Sequence, residues 1–254
     1  GKYKEVEERK SLYPLKLLER SIYYPTKPVS LKNYLLRQDK SGIIAEFKRK
    51  SPSKGMINAY ADVEKVTVGY MQAGASALSV LTDQEYFGGK SEDLTTARKF
   101  NYCPILRKDF MVDEYQVIEA KSIGADVILL IAAALDKDMV CQLARLAKSL
   151  GMEVLFEIHH EEELEKLCPE IDIVGVNNRN LKTFEVDINT SVDLSSIIPD
   201  DFLKISESGI SKPETIVNLK KHGFQGFLMG ESFMKTSRPH EACQLFIKKL
   251  NSLL

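Results

Sequence analysis

From Ile43 to the end of the chain one pattern recurs eight times: a short apolar run, a polar or glycine-containing break, then an amphipathic helical stretch. The apolar runs are Ile43–Phe47, Ala77–Leu81, Ile105–Leu106, Val127–Ile131, Val154–Ile158, Ile173–Val176, Phe202–Ile205 and Gly226–Met229. Helical spacing falls between them near Asp62–Ala73, Ser91–Lys99, Asp113–Ile123, Lys137–Leu150, Glu161–Leu167, Asn189–Ile197 and Lys212–Lys221, with a closing helix near His240–Leu250. Asp113 with Gln116, and Ser211 with Glu214, have capping-box spacing. Gly74, Gly124 and Gly223 each stand between a helix and the next strand, where an αβ loop stops a helix. Eight βα units in about 210 residues close into a (β/α)8 TIM barrel more readily than they form an open doubly wound sheet. No GxGxxG follows the first strand, which argues against a dinucleotide-binding fold.

About forty residues before the first strand fit no βα unit. Residues 3–20 read as a charged helix followed by a short apolar one, and Leu31, Tyr34, Leu35 and Leu36 take helical spacing after Ser30, an N-cap residue. The chain therefore reads as one barrel domain over 1–254, with 1–40 as a helical leader. Lys+Arg (35) nearly balances Asp+Glu (36) without a basic block, which argues against a nucleic-acid or membrane surface. No apolar run reaches membrane-spanning length, and Gly1-Lys2-Tyr3-Lys4-Glu5 is too polar for a signal peptide, so the expected location is cytoplasmic. A start at Gly1 without Met leads one to expect a processed or expression-derived terminus. Cys103, Cys141, Cys168 and Cys243 form no CxxC pair and read as reduced structural thiols. His159-His160 lacks the i,i+4 spacing of a helical metal site and reads as a solvated strand-end loop.

Barrel enzymes carry their sites at the C-terminal ends of the strands. Side chains two apart share a strand face, so an inward Ile44 brings Glu46 and Lys48 inward too. Charges on an inward face are costly unless paired or functional. The other strand ends carry Thr82-Asp83, Arg107-Lys108-Asp109, Glu157, Asn177-Asn178-Arg179-Asn180, Ser206-Glu207-Ser208-Gly209 and Gly230-Glu231-Ser232, while the fourth strand stays apolar and lines the pocket. One such charge reads as a salt bridge, but charges from five strands at one mouth read as a site. Glycines directly after the seventh and eighth strands suit a phosphate held by backbone N–H groups, with the Glu231 side chain turned away. Residues 49–60 are long for a βα connection and rich in Lys, Ser and Gly, as a lid over an anionic substrate would be.

Seven motifs then carry a resemblance over the whole chain. They are Ile-Ala-Glu-Phe-Lys-Arg-Lys-Ser-Pro-Ser-Lys-Gly (44–55), Leu-Thr-Asp…Tyr-Phe-Gly-Gly (81–89), Ile-Leu-Arg-Lys-Asp-Phe (105–110), Glu-Ile-His (157–159), Gly-Val-Asn-Asn-Arg-Asn-Leu (175–181), Ser-Glu-Ser-Gly-Ile (206–210) and Leu-Met-Gly-Glu-Ser (228–232). In content and order they closely resemble the indole-3-glycerol-phosphate synthase family of tryptophan biosynthesis, whose leader would extend a few residues before Gly1. The resemblance implies a carboxy-lyase that converts 1-(2-carboxyphenylamino)-1-deoxyribulose 5-phosphate into indole-3-glycerol phosphate, CO₂ and water. It implies no cofactor and no metal. Lys108 would be the general acid, Lys48 would hold the substrate carboxylate, Glu157 would be the base, and Glu46 would position the anilino nitrogen and hold Lys48. Asn177, Arg179, Glu207 and Ser208 would complete the inner shell. Ser51, Gly209, Gly230 and Glu231 would lie near the carboxylate or phosphate, and Phe87, Phe110, Leu129 and Leu181 would line a slot for the aromatic ring. Two close lysines are expected to lower each other's pKa. The expected partner is a small phosphorylated molecule, with the chain a monomer or weak homo-oligomer. Two other readings are a phosphoribosyl-isomerase type of barrel enzyme and a barrel that binds an anionic metabolite without converting it.

Overall fold

The structure, a computed structural model, describes residues 1–254. Three leader helices come first, α1 (Lys2–Leu12), α2 (Leu15–Leu18) and α3 (Leu31–Leu35). Next come β1 (Ile43–Phe47), a small hairpin of β2 (Lys50–Ser51) and β3 (Gly55–Met56), α4 (Val63–Gln72), β4 (Ala77–Leu81), α5 (Ser91–Phe100), β5 (Ile105–Lys108) and α6 (Glu114–Ile123). The chain continues through β6 (Val127–Ile131), α7 (Lys137–Ser149), β7 (Glu153–Ile158), β8 (Ile173–Asn177), α8 (Asn189–Ser195) and β9 (Leu203–Glu207). It ends with α9 (Pro213–Lys221), β10 (Phe224–Met229), α10 (Glu231–Met234) and α11 (Pro239–Asn251). The eight long strands are parallel and close in the order β1-β10-β9-β8-β7-β6-β5-β4, a (β/α)8 TIM barrel. Closure is made by Ile43 against Phe227 on one side of β1 and by Ile44 against Ala77 on the other.

Strand alternation divides the apolar residues between two cores. Ile44, Leu106, Leu129, Leu155, Ile173, Ile205 and Leu228 fill the barrel interior, together with Leu31 and Leu35 from α3. Residues of the opposite phase, such as Ala45, Phe47, Val80, Ile128 and Phe156, pack outward beneath the helices. The leader is thus part of both layers: α3 contributes to the inner core, while Val6 of α1 and Leu18 of α2 pack on Tyr115 of α6.

Several local expectations hold and others shift. The capping box at Asp113 and Gln116 forms, and α6 stops at Gly124, whose φ of 98° suits a residue without Cβ. The box expected at Ser211 and Glu214 does not form. Lys212 is the N-cap of α9, and Pro213 starts the helix because its fixed φ suits the first helical position. Residues 161–166 make a 3-10 helix rather than an α-helix. The third barrel strand runs on to Lys108, which places that side chain on the strand itself.

Candidate active site

Three carboxylates and two lysines, carried by four strands, meet above the apolar floor. On β1, Glu46 is buried and its Oε1 lies 3.1 Å from the Nζ of Lys48, just past the strand. Ser79 of β4 donates to the other oxygen of Glu46 at 3.1 Å. Lys108, at the end of β5, sits between Glu207 of β9 at 2.5 Å and Glu157 of β7 at 3.3 Å. Asn177 of β8 donates to Glu157 Oε1 at 3.0 Å. Two glycines leave room for these side chains. A Cβ on Gly175 would lie 2.5 Å from Glu207 Oε1, and one on Gly230 would lie 2.9 Å from the Cβ of Glu46.

Electrostatics sorts the groups into distinct states. Burial alone would lower the Lys108 pKa, but the charges of Glu207, Glu157 and Glu46 outweigh it and raise the pKa well above the lysine range. The expected mutual depression by a neighbouring lysine is therefore overturned, because three carboxylates face Lys108. Burial also works to raise the Glu157 pKa, yet Lys108, His159 and Asn177 hold it below the ordinary carboxylate value. Glu207 goes the other way. Its burial and the nearby charges of Glu157 and Glu46 prevail over Lys108 and push it up to about 7. Its Oε1 has no hydrogen-bond partner. Two carboxyl groups on one ammonium with pKa values driven apart are the pattern of paired acid and base work.

On one side of this cluster lies an apolar wall. Leu129 belongs to the barrel floor and Phe110 packs against it. Tyr86 and Phe87 stand 5.7 and 6.2 Å from Phe110, centroid to centroid. Leu181 is half exposed in the connection after β8. On the other side, Ser208 (φ 69°) and Gly209 (φ 77°) follow β9 in left-handed conformation, and Asn178 donates to the Ser208 carbonyl. Gly230 precedes α10, and Ser232 Oγ donates to the Ile210 carbonyl at 3.1 Å, which joins the two turns. The Glu231 carboxylate pairs with Arg179 at 3.4 Å. The 49–60 connection is tied down at both ends. Arg49 makes a bidentate pair with Asp93 of α5, and Asn58 donates to the carbonyls of Met234 and Thr236. Inside it, Ser51 is buried with its hydroxyl unpartnered.

Several participants escaped the sequence reading. Lys2 reaches from α1 to Asp83 at 2.6 Å and to Asp109 at 2.9 Å, directly beside Lys108. Arg107, one of the strand-end charges read as converging at the mouth, instead points outward, fully buried, and pairs with Asp109 and Glu119. His159 is buried rather than solvated and lies between Glu157 and Glu163. Only Ser79 left a legible signal, as a lone hydroxyl at an inward position of an otherwise apolar strand.

Comparison with known proteins gives concordant results. Residues 1–246 match the family model described as indole-3-glycerol phosphate synthase. The proteins of that name from Bacteroides thetaiotaomicron and Campylobacter fetus are 49% and 44% identical over 246 and 238 residues. These alignments cover 97% and 93% of this chain and 94% and 92% of the relatives. The one from Acinetobacter baumannii is 46% identical over 209 residues, 82% of this chain and 78% of its own length. A solved chain from a study of the tryptophan synthase a2b2 complex of Pyrococcus furiosus superposes with a TM-score of 0.63 at 15% identity. It covers 84% of this chain and 99% of its own, a likeness of fold alone.

Proposed function

This chain belongs to the indole-3-glycerol phosphate synthase family, and from that premise we propose how its residues divide the work. The reaction closes the ring of 1-(2-carboxyphenylamino)-1-deoxyribulose 5-phosphate, then loses CO₂ and water to give indole-3-glycerol phosphate. It is a carbon–carbon lyase step of tryptophan biosynthesis. The observation that carries the assignment of roles is Lys108, an ammonium buried between two carboxylates from different strands.

Lys108 gives its proton to the ketone oxygen as the electron-rich aryl carbon attacks, and later to the departing hydroxyl. Glu207, poised near neutrality at 2.5 Å, returns a proton to Lys108 between the two steps. Glu157 stays ionised and takes the proton lost in dehydration. Lys48, steadied by Glu46, holds the substrate carboxylate until CO₂ leaves, and the unpartnered Ser51 hydroxyl adds a donor or acceptor there. The aromatic ring lies against Phe110, Phe87 and Leu129, with Leu181 reaching it from the connection after β8. Phosphate is held at the joined turns by Ser208, Gly209, Gly230 and the Glu231 backbone, with Arg179 beside them. Asn177 orients Glu157. Residues 1–254 act as one barrel domain with 1–40 as its leader, a reading supported by the buried pairs of Lys2. The working form is a cytoplasmic monomer or weak homo-oligomer without a nucleic-acid partner; no helix is long and apolar enough to cross a membrane.

Following indole fluorescence on addition of the substrate tests the activity, and Lys108→Met tests the role. Met keeps the apolar stem and removes the proton. The variant is expected to fold and bind a substrate analogue while kcat falls by about 10²–10⁴. A variant that melts early and loses binding in step with rate makes Lys108 a structural ion-pair partner instead.

A further inference from the structure

Two residues beyond Glu157, just past the end of β7, lies a buried imidazole for which ring closure has no use. The His159 side chain is 6% exposed, with Nε2 at 3.4 Å from Glu157 Oε1 and Nδ1 at 3.7 Å from Glu163 Oε2. Neither nitrogen has a hydrogen-bond partner. Glu163 is itself fixed, since its Oε2 accepts the backbone N–H groups of His159 at 2.5 Å and His160 at 3.2 Å. The charges around this ring are Glu157 on its own strand, Glu163 on the 161–166 helix and Glu207 on β9, with Lys108 of β5 beyond Glu157. The His160 ring, exposed, is 6.4 Å away. Burial disfavours the imidazolium, but Glu163, Glu157 and Glu207 together raise its pKa above the ordinary histidine value.

A buried carboxylate needs a nearby cation to stay ionised. Glu157 has Lys108 at 3.3 Å, but Lys108 is closer to Glu207 and is the group that gives up its proton. At that moment Lys108 is a neutral amine, and Glu157 would face its own desolvation alone. We propose that His159, held by Glu163, is the second cation of Glu157, a positioning residue that keeps the base ionised while Lys108 is discharged. This inference rests on reading Glu157 as the base.

The test combines two measurements on the full chain. In NMR titrations of the four histidines, the His159 imidazole is expected to titrate above the free-histidine value, and at lower pH in both Glu163→Gln and Glu157→Gln. In pH profiles of indole formation, His159→Asn is expected to keep its melting temperature and its KM within about twofold. Its kcat is expected to fall about three- to tenfold on the acid-side limb, which moves up by about half to one pH unit. His159→Gln, which can hydrogen-bond but not charge, is expected to behave like His159→Asn. Full rescue by Gln, an unmoved acid limb, or a His159 titration indifferent to both neighbours overturns the proposal. Should His159→Asn fail to fold, the Glu163→Gln titration decides alone. The two readings fail separately: an active Glu157→Gln variant removes the base assignment, whereas a normal pH profile in His159→Asn beside a dead Glu157→Gln removes only this inference.

Discussion

At the scale of single residues, the mouth is built around carboxylates whose space is provided by glycines. Gly230 was expected to make way for an anion, but the nearest atoms to its missing Cβ belong to Glu46. Its φ of −139° suits any residue, so the obstacle to a side chain is steric. Gly230→Val should displace Glu46 and release Lys48, so kcat should fall by about tenfold or more, at a folding cost of about 1–3 kcal/mol for overpacking. Separate determination of kcat and KM decides the matter: a rise in KM with kcat unchanged would mean that the glycine serves the phosphate alone. Glu207 makes a prediction about pH. Its pKa is raised from the ordinary 4.5 to about 7 in the folded chain, so between these values the folded state holds a proton that the unfolded state has lost. Stability therefore falls as pH rises through this window. Glu207→Gln has no such proton, and the drop in melting temperature between pH 5 and pH 8 should be smaller in the variant than in the parent. Equal drops would mean that Glu207 titrates as an ordinary carboxyl.

At the scale of elements, two segments outside the regular βα repeat are tied to the residues around the site. The α1 helix places Lys2 between Asp83 and Asp109, where burial opposes its charge but the two aspartates raise its pKa well above the lysine range. Asp83 also accepts the N–H groups of Tyr86 and Phe87, so the leader and the aromatic wall share one anchor. The 49–60 connection is the other segment. It is held by Arg49–Asp93, by the amide of Asn58 and by Ile57 packed on the outer core, while Met56 and Tyr60 are exposed. Such a segment is expected to open at low cost and to close over a bound anion. Bound substrate analogue should protect it from proteolysis several-fold, and Asn58→Ala should weaken that protection. Equal cleavage with and without the analogue would make the segment a fixed rim.

At the scale of the whole molecule, the barrel was legible because its two governing signals are local. A period of two along each strand told inward from outward positions, and glycine stops marked where helices turn back. The same alternation brought Glu46, Lys48, Lys108, Glu157 and Glu207 to one mouth. What stayed hidden depends on distance across the fold. The charge state of Lys108 is set by carboxylates up to 99 positions away, and the burial of His159 by the 3-10 turn that carries Glu163. Lys2 looked like one more charge on a solvated helix because Asp83 and Asp109 lie far along the chain. The closure of β1 on β10 has a consequence in time. Ile43 must wait for Phe227, and at about 5–20 residues per second the ribosome needs roughly ten to forty seconds to deliver it. Throughout that interval a nascent chain carries one bare strand edge with no template for it, and the Leu31 and Leu35 side chains have only a half-built wall to rest on. The barrel can be completed only once nearly all of it has left the ribosome.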